Sequence, residues 1–262
     1  MGAPAFLSTI QDQGAVRSEC CASMHVEVEC VQLETRGATV MTDLEELFKR
    51  ATAFHGQPCP DLALGIRLAK AGVRAAGVNE ADERNGMIIF VEIDRCIADA
   101  IQITTGCTAG GRNLKAMDYG KLAASFVNLK TDSAVRVRAR EGARERALRY
   151  AIGEGFLSPY EKFEGQSDSD IETLVRAYLE MPESALLEVS RVSIVVPLGD
   201  RPGGPVRGVP CSRCGEEVFD FKEILSGGYY ACRGCATGRY YTLTKEGRRE
   251  GPAGSHRIQR VH

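Results

Sequence analysis

The sequence predicts an α+β core domain followed by a small module held together by metal. Three observations lead there. Helix-period and strand-like segments are interleaved between residues 41 and 198. A run rich in Gly and Pro, Leu198 to Pro205, then breaks the pattern. Beyond it, four of the chain's ten cysteines fall into two Cys-x-x-Cys pairs. The 262 residues suffice for one large domain plus a module. A hydrophobic share of 44% with 26% charged residues is that of a folded globular chain, which argues against wholesale disorder. A net charge of −2 supplies no global field for gripping nucleic acid or an anionic membrane.

Residues 1–40 lack steady periodicity and read as a loose amino-terminal extension, with Met41 as an internal start and Cys20 and Cys21 as an exposed neighbouring pair. No basic stretch leads into an apolar one, so secretion is not indicated. The expected location is the cytoplasm, where thiols stay reduced. Thr42 and Glu45 have capping-box spacing. Leu44, Leu47, Phe48 and Ala51 then share one helical face, and the helix is expected to stop at His55 and Gly56. A second helix is expected over Pro60 to Ala76, because proline suits a first turn; its apolar face holds Leu62, Leu64, Ile66, Leu68, Ala69 and Val73. The nearly continuous apolar run at Met87 to Asp94 reads as a buried strand. It is too short to span a membrane.

A short helix follows at Ile97 to Ile103, then a Gly- and Thr-rich loop from Thr105 to Asn113. Lys121 to Leu129 and Ala134 to Val137 read as strands around a polar turn. Helices are expected at Glu141 to Ala151 and Ile171 to Met181, and a last strand at Val192 to Leu198. The Arg-rich run from Arg136 to Arg149 is interrupted by Glu141 and Glu145, which favours a solvated helix face over a nucleic-acid surface. The domain plan is therefore a core over 41–198, a linker over 199–209, a four-cysteine module over 210–246 and a frayed tail over 247–262.

In that module Cys211 and Cys214 are separated from Cys232 and Cys235 by seventeen residues. This spacing points to a structural, tetrahedral zinc site, because four thiolates close the coordination sphere. Rubredoxin-like iron is the alternative metal. The metal replaces the hydrophobic core that so small a module lacks. Tyr229, Tyr230, Tyr240 and Tyr241 are read as covering the metal rather than stacking on bases.

A second group of reactive residues lies at element ends in the core. Phe54, His55, Gly56, Cys59 and Pro60 precede a helix, where the positive helix end favours a thiolate. Cys96, Asp99, Ala100, Ile101 and Gln102 follow the apolar strand. Thr105, Gly106, Cys107 and Thr108 come next, and Asp118, Tyr119, Gly120 and Lys121 close the series. The glycine-rich stretch is not a phosphate loop, since it lacks the terminal Gly-Lys-Ser/Thr.

Together with Ala63, Leu64 and Gly65, these four ordered motifs resemble the FmdE family, named for one component of formylmethanofuran dehydrogenase. The resemblance covers roughly Asp43 to Pro197, and the four-cysteine module resembles the treble-clef zinc finger that many members append. It implies an α+β core with a mixed sheet, related to the GAPDH catalytic-domain fold. It also implies a homodimer, a metal- or substrate-binding groove at the His-Gly-x-x-Cys turn, and a link to one-carbon metabolism and to a molybdenum or tungsten enzyme. It does not imply dehydrogenase chemistry in this chain. The family usually has a second His where this chain has Gln57, and a Gly where it has Asp61. An amide is a poor metal ligand, so this substitution weakens the expectation of a core metal.

The resulting expectations assign His55, Cys59 and Lys121 to chemistry, with Cys59 as nucleophile or ligand and His55 as its base or co-ligand. Cys96, Asp99, Gln102, Cys107 and Asp118 are assigned to a cofactor or substrate, with a second metal, zinc or iron, possible in the core. Two other readings have a different character. One is a non-catalytic accessory or metal-carrier subunit. The other is a protein- or nucleic-acid-binding module on a dimeric core.

Overall fold

The structure is a computed structural model that describes residues 44–79, 86–160, 163–164, 167–242 and 244. The amino-terminal extension, Cys20, Cys21, the Thr42 cap and the tail lie outside these residues. All the described residues belong to one compact unit within 41–262.

The longest helix organises the core. Its sequence neighbour α1 (Leu44–His55) buries Leu47 and Ala51. The central helix α2 (Pro60–Ala76) begins with the expected proline and ends at Gly77, whose φ of 66° is the left-handed conformation that a helix stop requires. Eleven of its residues are buried, including all six of the expected apolar face. Two glycines let it pack tightly. A Cβ on Gly72 would overlap the Phe126 ring, and one on Gly65 would stand 2.6 Å from Ala100 Cβ of helix α3 (Cys96–Thr105). Arg67 donates to the carbonyls of Tyr178, Leu179 and Met181, satisfying the carboxy-terminal end of α5 (Asp168–Glu180).

The sheet is mixed, in the order β2-β1-β3-β4-β5. Its strands are β1 (Met87–Val91), β2 (Leu114–Ala116), β3 (Ala123–Asn128), β4 (Ala134–Ala139) and β5 (Leu187–Val192). Strand β2 runs parallel to β1, and the remaining neighbours are antiparallel. One face, with Ile89, Phe126, Val135 and Val137, packs into the helical core. On the other, Ile88, Val127 and Ala134 are covered by Val196. Between β3 and β4, Asn128 accepts from the amides of Lys130 and Thr131 and donates to the carbonyls of Ala76 and Gly77, tying the hairpin to the end of α2. Helices α4 (Ala143–Gly153) and α6 (Glu183–Leu186) complete the core.

Three expectations are corrected. The last strand is Leu187–Val192, not Val192 to Leu198. The apolar run after it is extended chain that places Val196 on the sheet and ends in a 3-10 turn, Leu198–Asp200. The true strand is polar because it is an edge, held by pairing to β4 and by Arg138 with Glu188 at 2.8 Å. The 105–113 loop loses its first residue to α3, and the unforeseen β2 follows directly after it. Finally, Arg136 and Arg138 lie on β4 rather than on a helix face; Arg136 grips the buried Glu92 with two bonds, of 2.6 and 2.7 Å.

The carboxy-terminal module comprises hairpins β6 (Gly208–Pro210) with β7 (Glu217–Phe219) and β8 (Ile224–Ser226) with β9 (Tyr229–Ala231), then helix α7 (Arg233–Thr237). A cysteine knuckle, a hairpin and a second knuckle opening a helix make the treble-clef arrangement. Residues 199–209, read from composition as a linker, include most of the 3-10 turn that joins module and core. Arg112 donates to the Gly199 carbonyl at 2.6 Å and pairs with Asp220 at 2.7 Å. Asp200 meets Lys222 at 2.8 Å and Lys115 at 3.6 Å.

Candidate metal centres and groove

The core site forms where two helices begin. Cys59 is the N-cap of α2, in an extended conformation, and Cys96 is the first residue of α3. The close α2–α3 packing at Gly65 brings these two starts together, although 37 residues separate the cysteines. Their sulfurs are 3.4 Å apart. His55, the last residue of α1, completes a trio whose ligand atoms all lie within 4.8 Å of one another. His55 Nδ1 is 2.7 Å from Asp99 Oδ2, and Gln102 Nε2 donates to the other Asp99 oxygen at 3.4 Å. With Nδ1 engaged by the carboxylate, Nε2 is left to bind an ion. This is the usual carboxylate–histidine support of a metal ligand.

The trio borders an open groove of 490 Å³. His55, Cys96, Asp94, Asp99 and Gln102 supply its polar edge, while Val91, Leu114 and Ala116 supply an apolar wall. Burial, then the facing Cys59 thiol, pushes the Cys96 thiol up to about 11. Its helix-start amide acts in the opposite direction and is outweighed. Asp61 is pushed up by burial, against the opposing charges of Arg144 and Arg95, and it stands outside the ligand trio.

The structure therefore brings together His55, Cys59, Cys96, Asp99 and Gln102. Cys107 is placed elsewhere: it is fully buried in the hydrophobic core, its amide donating to the Thr105 hydroxyl. Asp118 and Lys121 are exposed on a loop tied to β1 through the Glu92 carbonyl, and neither lines the groove. Lys121 instead lies 5.9 Å from the Tyr119 ring centre. Gln57 is exposed and outside the trio. Sequence reasoning misses Asp94, Leu114 and Ala116 as groove residues. Asp94 follows the apolar run that marks β1 and is legible as a strand-end carboxylate, whereas the three residues of β2 carry no periodic signal.

In the carboxy-terminal module, the ligand atoms of Cys211, Cys214, Cys232 and Cys235 also lie within 4.8 Å of one another. Backbone amides support them: Cys232 N–H donates to Cys211 Sγ at 3.2 Å, and Cys235 N–H to Cys232 Sγ at 3.4 Å. Arg239 Nη2 approaches Cys235 Sγ at 3.4 Å. Burial raises the Cys211 thiol, but the amides of Cys232, Cys214 and Arg213 outweigh it and bring the thiol down to about 6. Cys214 is pushed up to about 12 by burial and by the surrounding thiols, despite a lowering amide contact from Glu216. Four crowded sulfurs that resist joint ionisation suit a dication that stabilises all four thiolates; the donor set fits zinc or iron. Arg207 lies over both Phe221 and Tyr230, so part of the module's aromatic content packs internally.

Fold and site define a class: a mixed-sheet α+β domain with a His/Cys cleft, carrying a four-cysteine module. A family model described as "FmdE, Molybdenum formylmethanofuran dehydrogenase operon" matches residues 54–188, just over half of the chain. The chain belongs to this FmdE family. The matched span contains the whole core trio and ends before the four-cysteine module. A protein of Archaeoglobus fulgidus described as a probable S-adenosyl-L-methionine-binding protein is 30% identical over 227 residues, covering 80% of this chain and 57% of that protein. The chain thus spans a little over half of that relative's length. The crystal structure of an FmdE-like protein of tungsten formylmethanofuran dehydrogenase, from Syntrophus aciditrophicus, superposes with a TM-score of 0.50 at 21% identity, covering 76% of this chain and 95% of that one. That likeness supports the fold. Among the described residues, no helix is long and apolar enough to cross a membrane.

Proposed function

We propose that this protein is a two-metal FmdE-like protein: a structural zinc in the four-cysteine module and a functional zinc or iron held by His55, Cys59 and Cys96 at the groove. The observation that carries the reading is the meeting of one imidazole and two thiols within 4.8 Å beside a 490 Å³ groove. Three protein ligands leave a tetrahedral ion one open position, where a bound water or substrate atom is polarised. Gln57 does not compromise this set, because none of the three ligands comes from its position. The family's operon context supports service to a molybdenum or tungsten enzyme of one-carbon metabolism, with the chain acting as a homodimer. The test is metal content per chain on protein purified without added metal. Two equivalents are expected, falling to one in Cys59→Ser with the fold intact. A single equivalent in the wild type overturns the core site.

A second reading concerns the groove's organic ligand. The Archaeoglobus relative's description, together with Asp94 and Asp99 beside an apolar wall, favours a sulfonium nucleoside such as S-adenosylmethionine. Carboxylates stabilise the cation, and the wall accepts the base. Calorimetric titration should then show tighter binding of S-adenosylmethionine than of S-adenosylhomocysteine, which lacks the sulfonium charge. Equal or absent binding rejects it.

A further inference from the structure

We propose that Cys59 and Cys96 form a reversible dithiol–disulfide couple whose closure expels the core metal, so that the groove site responds to small-molecule disulfides. This rests on the metal reading above and adds a modification chemistry to it. The two sulfurs stand 3.4 Å apart, within about 1.4 Å of the roughly 2.0 Å disulfide bond length. Both residues sit at the start of a helix, one as a cap and one in the first turn, where a small side-chain rotation does not disturb interior helix packing. Both are half-buried, and Cys96 lines the groove, so a small disulfide reaches the pair from solvent. Cys107 is fully buried in the hydrophobic core and is excluded from this exchange.

The chemistry balances with an external disulfide, RSSR, as oxidant. One protein thiolate attacks RSSR; the R–S–S–R bond breaks, a mixed disulfide forms, and RS⁻ leaves and takes a proton as RSH. The second thiolate attacks the protein sulfur of the mixed disulfide and displaces the other RSH. Two thiolates are oxidised and one RSSR is reduced to two RSH. With both sulfur ligands consumed, His55 alone is left to hold the ion, which departs as the free dication.

The test treats reduced, metal-replete full-length protein with glutathione disulfide and follows two independent readouts. Metal count on the reduced protein comes first, and a metal-free core there overturns the metal reading. Peptide mapping after alkylation of free thiols then reads the couple. The expected result is a Cys59–Cys96 crosslink, release of one metal equivalent to a colorimetric chelator, retention of the other, and reversal by dithiothreitol. Cys96→Ser should stop at a mixed disulfide on Cys59. Free thiols with both metals retained, or persistent glutathione adducts on Cys59 in the wild type, overturn the couple.

Discussion

The two cysteine clusters of this chain differ in what surrounds them. In the carboxy-terminal module, four thiols and their supporting amides enclose one point, and the short elements around it bury little. In the core, two thiols and one imidazole sit on helix ends fixed by an extensive apolar interior, and one side opens on a groove. The first arrangement uses metal to hold the fold together. The second uses a fold that is already stable to hold a metal in an incomplete shell. Closed coordination stabilises; open coordination leaves room for chemistry.

The largest expected effect breaks the comparison at its structural end. Cys232→Ser, or a strong chelator, should unfold the module while the core stays cooperative, because structural zinc contributes about 10–16 kcal/mol to such modules. Proteolysis confined to residues beyond 205, with unchanged core far-UV signal, checks this. Loss of the core at the same time would show that the two regions fold as one.

Asp99→Asn should act only on the open site. It preserves shape but removes the charge that orients His55, and core metal affinity should fall about 10–100-fold with the module's metal retained. Competition with a chromophoric chelator measures it. Gly65→Ala probes the packing that makes the site. Overpacking costs about 1–3 kcal/mol, and the better helix propensity of alanine returns up to about 1 kcal/mol. A net loss of about 1–2 kcal/mol in core stability, with weaker core metal binding, is expected in denaturant titrations.

The smallest effect concerns the junction. Partial burial raises the Asp200 carboxyl, but the Lys222 bond and the Lys222 and Lys115 charges outweigh it, holding the group below its ordinary 3.8. A lowered carboxyl favours the folded form above its unfolded value. Its contribution is therefore complete above about pH 4 and is lost as pH falls through the lower folded value. Hydrogen exchange around β2 should rise at acid pH in the wild type, and this rise should be blunted in Asp200→Asn.

Several parts of the fold are legible in the sequence because they are local. The Cys-x-x-Cys pairs report their own geometry, since each knuckle is a tight turn. The span of α2 follows from proline at one end, glycine at the other and an apolar face between them. The last strand is not where apolar content alone points, because Leu187–Val192 is held by hydrogen bonds to β4 at an exposed edge. Strand β2 escapes sequence reasoning because three residues carry no period.

The sequence by itself determined the helices, the core strand pair, the four-cysteine module and the family motifs, all of which depend on spacing within one element or turn. Only the tertiary structure decided which motif residues meet. It joined His55, Cys59, Cys96 and Asp99, sent Cys107 into the apolar core, left Lys121 and Asp118 on an outer loop, and tied Arg112 and Lys115 to the turn before the module. The reason is physical. Chain spacing limits which residues can approach, but the packing of α2 against α3 through a residue without a side chain sets the distance between two helix starts.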